Sequence, residues 1–265
     1  MKLQDLTIKL FADTSDVIQM AALYPKVQGF TTNPTLMRQA GVQNYPAFVT
    51  DVLRVCPDKP VSFEVTADDD ETIERQARRL ALFGPNVYVK VPVVDALGNP
   101  HAGIIRKLTA AGIKVNVTAV FTLAQVEEVC QSLKPDVPAI ISIFAGRLAD
   151  IGEDPALMAC GAIGGWLPEK TEVLWASTRQ IFDVVQAQAA GLDIITLTPA
   201  LLAKLPLLGK WTAEEYARET AKQFVTDAQK AAWQKAMAPT YVWAKGRVGQ
   251  EVLDMLAKEL DIKMN

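Results

Sequence analysis

Among its 265 residues the chain has one histidine, His101, and that scarcity removes whole classes of chemistry. Serine–histidine and cysteine–histidine nucleophile systems, and most histidine-bearing metal sites, need an imidazole beside a partner. His101 follows the turn Gly98-Asn99-Pro100 with no cysteine or acidic cluster close by in sequence, so an ordinary surface residue is expected. Acid and base work then falls to carboxylates, hydroxyls or lysine. Cysteine is also scarce: Cys56, Cys130 and Cys160 are widely spaced, form no CxxC pair and leave an odd one over. That pattern suits reduced thiols used for packing in the cytoplasm. A formal net charge of -3 offers no basic surplus for nucleic acid or an anionic membrane. No run reaches the roughly 18 apolar residues of a membrane span. The start, Met1-Lys2-Leu3-Gln4-Asp5, lacks a basic segment followed by an apolar one. A soluble, unexported protein is the expectation, with neither membrane nor nucleic acid as partner.

Hydrophobic residues, by contrast, make up half of the chain, enough to bury a large core. One pattern of apolar run, turn and amphipathic stretch recurs eight times. Strands are expected at 8–13, 27–32, 61–66, 86–93, 114–120, 139–144, 172–176 and 193–197. Helices are expected at 15–23, from 33 to 55 with a break near Tyr45-Pro46, and at 70–83, 102–111, 123–133 and 179–190, with a looser stretch over 150–166. Eight strand–helix repeats without a linker predict an α/β fold, a single (β/α)8 TIM barrel over 1–210, rather than two domains. Residues 211–265 read as a C-terminal helical extension packed on the barrel. Thr212-Ala213-Glu214-Glu215 is a capping box opening a helix that meets no proline until Pro239, and 246–260 reads as a last helix. These helices cover the barrel mouth or join copies of the chain, and a homo-oligomer is expected.

Lys90 stands in the valine-rich run Asn86-Val87-Tyr88-Val89-Lys90-Val91-Pro92-Val93, which reads as a short strand buried on both faces. Taken alone, it reads as a lysine on a solvated edge strand. Buried, its ammonium costs several kcal/mol unless it is paired or loses its proton, and a neutral amine attacks carbonyls to form a Schiff base. Strand parity supplies company. Ser62, Glu64 and Thr66, Asn116 and Thr118, and Ser142 with Phe144 each share a face opposite valine, phenylalanine or isoleucine, and Asp13 ends the first strand. The helix-facing layer of a barrel must be apolar, so the polar parity points inward. Single members of this set read as satisfied structural hydrogen bonds. Asp13, Asn33, Glu64, Lys90, Asn116, Thr118 and Ser142 together, from six of eight strands and mostly near their C-terminal ends, read as an active site.

Lys90 would form the imine, Glu64 and a water held by Thr118 would shuttle its protons, and Asp13 would take a proton from a substrate hydroxyl. Asn33, Asn116 and Ser142 would bind sugar hydroxyls. Arg147, Ser177 and Arg179 in the loops after the sixth and seventh strands suit a phosphate or another compact anion.

These residues resemble the transaldolase family, through Asp13-Thr14-Ser15, Thr31-Thr32-Asn33-Pro34-Thr35, Ser62-Phe63-Glu64-Val65, Val89-Lys90-Val91-Pro92, Asn116-Val117-Thr118, Ser142-Ile143-Phe144-Ala145-Gly146-Arg147 and Ala176-Ser177-Thr178-Arg179 in order. The resemblance implies transfer of a dihydroxyacetone unit from a ketose phosphate to an aldose phosphate, without metal or organic cofactor. It implies the roles just given to Lys90, Asp13, Glu64, Thr118, Asn33, Asn116, Ser142, Arg147, Ser177 and Arg179. The related fructose 6-phosphate aldolases carry glutamine at Glu64 and tyrosine at the substrate-side Phe144, so both positions fall on the transferase side. Ile143 replaces a usual proline and Thr178 a usual phenylalanine, which leaves open a specialised anionic sugar. A lyase of the same mechanism and a non-catalytic sugar-phosphate-binding barrel are the competing readings.

Overall fold

The computed structural model describes residues 1–224 and 230–237. The chain divides into two compact units, Met1–Leu208 and Gly209–Asn265. Among the described residues the first unit runs β1 (Lys9–Asp13), α1 (Val17–Leu23), β2 (Gly29–Thr31), α2 (Pro34–Gln39), α3 (Tyr45–Val55), β3 (Val61–Glu64), α4 (Asp70–Ala81), β4 (Val87–Pro92), α5 (Ala102–Ala110), β5 (Val115–Val120), α6 (Leu123–Ser132), β6 (Ala139–Ile143), α7 (Ala145–Asp150), α8 (Pro155–Gly164), β7 (Thr171–Trp175), α9 (Phe182–Ala189), β8 (Ile194–Leu197) and α10 (Pro199–Lys204). The eight strands close into one parallel barrel in sequence order, with β1 pairing both β2 and β8. This is the expected (β/α)8 barrel.

Local chemistry explains the alternation. Side chains of Asp16, Asn33, Asn44, Asp69, Thr122, Asp154 and Thr198 accept hydrogen bonds from the first turns of the helices that follow them. In α4 the buried residues Ile73, Ala77 and Leu80 recur at helical spacing while the charges face out. The strands are valine- and isoleucine-rich because their outward faces lie under the helices: Val61, Phe63, Val89, Val91, Val115, Val117, Ile141, Ile143, Ile195 and Leu197 all join the outer core. A smaller cluster of Phe11, Tyr88, Ile140, Leu174, Ala176 and Ile194 fills the barrel interior. Gly29 makes room for it, since a Cβ there would sit 2.4 Å from the Phe11 ring.

The boundaries differ from expectation in instructive places. The chain breaks at residues 40–44, and Tyr45-Pro46 opens α3 instead of interrupting a helix, because Asn44 caps it and proline suits a first turn. The looser stretch contains α8, which Asp154 caps and Pro155 starts. Thr66 lies beyond β3, is exposed and bonds to Gln76, so it does not share the inward face of Ser62 and Glu64. His101 corrects the surface expectation. An antiparallel bridge from Val94 to Pro100 folds the turn back, burying the imidazole with Nδ1 3.0 Å from the Pro92 carbonyl and Nε2 3.3 Å from that of Asp68. Cys56 and Cys130 are buried, which pushes both thiols up to about 11 and keeps them protonated; Cys160 is exposed, not a packing residue.

In the second unit, α11 (Ala213–Phe224) begins with the expected capping box: the Thr212 hydroxyl accepts from the Glu215 amide, and the Glu215 carboxylate accepts from the Thr212 amide. Residues 230–237 are helical, and the helix expected at 246–260 lies outside the described residues. No helix among the described residues is long and apolar enough to cross a membrane.

Candidate active site

Above the apolar plug, the inward-facing side chains of the barrel turn polar. The first polar layer is a chain of buried hydrogen bonds in which the Asn116 amide donates to Ser62 Oγ at 3.0 Å and Ser142 Oγ donates to Asn116 Oδ1 at 2.7 Å. Across from it, the Thr31 hydroxyl donates to Asp13 Oδ1 at 2.8 Å and lies 2.7 Å from Thr196 Oγ1. A hydroxyl has one proton to give, so with Thr31 donating to Asp13, Thr196 donates to Thr31.

The next layer opens into a cavity of about 490 Å³ at the C-terminal ends of the strands, walled among others by Asp13, Asn33, Glu64, Lys90, Thr118 and Ser142. Lys90 is buried, at 6% exposure. Its ammonium lies 3.1 Å from Glu64 Oε2 and donates to the Thr32 carbonyl at 3.2 Å. Of the two ways to bury a lysine, the barrel thus uses pairing with a carboxylate. Glu64 and Lys90 are register partners on neighbouring strands, as are Lys90 with Asn116 and Pro92 with Thr118. Register explains why residues 26 or so apart in sequence meet here.

Asp13 is held differently. Burial pushes its carboxyl above the ordinary value of 3.8, against the opposing influence of the Lys90 charge and the Thr31 hydrogen bond. Thr118 sits at a bulge where the β5–β6 register shifts between Val117 and Val120, and the next residue, Ala119, has φ 57°. The Thr118 hydroxyl is buried and bonds to no other group among the described residues.

The remaining expected residues fall into place less uniformly. Asn33 reaches the wall, but its Oδ1 caps α2 by accepting from the Leu36 amide, which leaves its amide nitrogen for other partners. Asn116 is fully buried below the wall and acts on Ser142 instead of lining the cavity. Phe144 lines it, packed on Phe121 with the Arg147 guanidinium 5.3 Å above its ring. Ser177 and Arg179 also line it; Ser177 adopts φ 64°, and the Arg179 fork is bonded to Asp150. Sequence reading missed Thr196 and the role of Thr31. Both were within its reach: Thr196 alternates with the outward Ile195 and Leu197, the same parity that singled out Asn116. Tyr45, whose hydroxyl donates to the Glu64 carbonyl at 2.7 Å, carried no such signal.

A closed parallel barrel with a buried lysine, two carboxylates and hydroxyls at the C-terminal mouth defines an enzyme of the TIM-barrel class. The sequence matches the family described as Transaldolase/Fructose-6-phosphate aldolase over residues 10–244, and the chain belongs to it. It is 35% identical over 202 residues to a "Probable transaldolase" of Herpetosiphon aurantiacus, covering 75% of this chain and 87% of that one. It is 33% identical over 230 residues to one of Rhodospirillum centenum, covering 84% and 92%. The crystal structure of KGPDC from Streptococcus mutans superposes with a TM-score of 0.53 at 12% identity, over 75% of this chain and 92% of that one; it shares the fold.

Proposed function

We propose that the enzyme is a transaldolase-type transferase that carries a dihydroxyacetone unit from a ketose phosphate to an aldose phosphate on Lys90. The observation that carries this reading is the buried Lys90 ammonium 3.1 Å from Glu64, in a cavity whose wall also holds Asp13 and Thr118. Once its proton passes to Glu64, the Lys90 amine adds to the substrate C2 carbonyl, and loss of water leaves a protonated imine. Asp13 takes the proton of the C4 hydroxyl. The C3–C4 bond breaks, its electrons pass to the imine as an enamine, and the aldose phosphate leaves. The enamine then attacks the acceptor aldehyde, whose oxygen takes a proton from Asp13. Water, held at Thr118 and deprotonated by Glu64, hydrolyses the new imine. Ser142, held by Asn116, and the Asn33 amide suit the sugar hydroxyls, Phe144 supplies an apolar wall, and Arg147, Ser177 and Arg179 suit the anionic head group.

Borohydride treatment in the presence of a ketose phosphate should attach a three-carbon unit to Lys90, and Lys90→Ala should abolish it. Intact trapping in that variant would refute the assignment. Transfer also requires an acceptor, so dihydroxyacetone released freely at the same rate without an aldehyde would make the enzyme a lyase.

A further inference from the structure

Three nitrogens of Arg179 are already engaged by the protein. Nη2 donates to Asp150 Oδ2 at 2.6 Å and Nε to Asp150 Oδ1 at 3.3 Å, while Nη1 donates to the Ser177 carbonyl at 3.1 Å. A guanidinium has five N–H groups in a rigid plane. Asp150 occupies the side edge formed by Nε and Nη2, Ser177 takes one proton of Nη1, and one N–H remains on each terminal nitrogen. The Arg179 backbone is held as well, since its amide and that of Gln180 both donate to Asp183 Oδ2. Asp150 is the last residue of α7, one turn beyond Arg147, which forms no ion pair among the described residues. Gly146 lets α7 come this close: a Cβ there would lie 1.7 Å from the Ser177 carbonyl oxygen and 3.2 Å from Arg179 Cγ.

We infer that Asp150 is a positioning residue for the anionic head group, acting through Arg179. By filling the side edge it fixes the plane of the guanidinium at the cavity wall and leaves the two remaining N–H groups for an incoming phosphate, which then needs to order no long side chain as it binds. Two effects oppose each other. Asp150 places a negative charge near the anion, which weakens binding, and it holds the fork still, which strengthens it. The pair is about half exposed on both sides, where solvent screens charge heavily, so positioning is the larger effect. The inference rests on the anionic-substrate reading above.

The test uses the full chain with Asp150→Ala and Asp150→Asn, inorganic phosphate as the binding probe measured by calorimetry, and dihydroxyacetone as an imine probe trapped at Lys90 by borohydride. Asp150→Ala should weaken phosphate binding, and raise KM for a ketose phosphate, by about five-fold, with kcat and dihydroxyacetone trapping unchanged. Asp150→Asn, which keeps an acceptor for the fork and drops the charge, should bind phosphate at least as tightly as the unmodified chain. Tighter binding in both variants would show that charge governs, and overturns the inference. So does unchanged phosphate affinity in Asp150→Ala, an equal loss of dihydroxyacetone trapping, or no phosphate binding by the unmodified chain. Failure of the unmodified chain to trap dihydroxyacetone while it still binds phosphate sinks the Schiff-base reading instead, and the calorimetric comparison still decides the role of Asp150.

Discussion

Asp13 holds its proton more tightly than a free aspartate because it is buried, and that has consequences for stability as well as for turnover. In the unfolded chain the carboxyl ionises near 3.8, and in the folded chain at a higher value. Between the two the folded state binds the extra proton, so its stabilisation is complete below 3.8 and is lost as pH rises through the folded value. Asp13→Asn should therefore flatten the fall in melting temperature with rising pH above about 4, while cutting kcat by roughly 10² to 10⁴. Melts across a pH series and steady-state rates check both halves. A variant that kept its rate would remove Asp13 from the proposed chemistry. Thr118 gives a complementary case. Its buried hydroxyl has no partner among the described residues, so Thr118→Val should leave stability unchanged or improve it, because an unmatched polar group is removed at constant shape. If Thr118 holds the hydrolytic water, the same variant turns over more slowly and accumulates trapped imine under borohydride. Loss of stability without change in rate would contradict both expectations.

At the scale of elements, the site depends on two glycines that admit close approach. Gly146→Ala would drive a methyl into the Ser177 carbonyl, 1.7 Å away, so α7 must move off the loop that carries Ser177 and Arg179. The expected result is a lower melting temperature and, for the proposed ketose phosphate substrate, a raised KM. Gly29→Ala collides with the Phe11 ring at the base of the barrel and should cost about 1–3 kcal/mol in urea unfolding, as overpacked cores do, with little change in KM because Phe11 lies below the cavity. The contrast between the two variants separates α7 placement from general loosening of the barrel. Elements were also what sequence reading handled best. Period-two alternation in β3, β5 and β6 and period-3.6 burial in α4 are local properties of a few residues, and they survive folding. Boundaries such as that of α3 shifted because a cap at Asn44 and a proline after it outweigh the apolar pattern. His101 was misread for a related reason: the turn before it folds back through a bridge between Val94 and Pro100, which composition does not reveal.

For the whole molecule, the described residues that wall the cavity all lie within Met1–Leu208. A chain ended at Leu208 should therefore still melt cooperatively and, on the proposed mechanism, form a borohydride-trapped imine at Lys90; if it folds and traps nothing while the full chain traps, residues beyond Leu208 are needed for the reaction. The inward polar parity of strands three, five and six, the buried character of the Lys90 run and the eightfold strand–helix rhythm were legible in the sequence, because each is set by neighbours along the chain. Which polar groups touch was not. The 3.1 Å pairing of Lys90 with Glu64 follows from strand register. The link from Thr196 through Thr31 to Asp13 spans β8 to β1 across the closure of the barrel. The seating of Asp150 on Arg179 joins α7 to the loop after β7. Separations of 18 to 165 residues collapse to hydrogen-bond lengths only when all eight strands close together, so that ring, and no local pattern, decided how the site is wired.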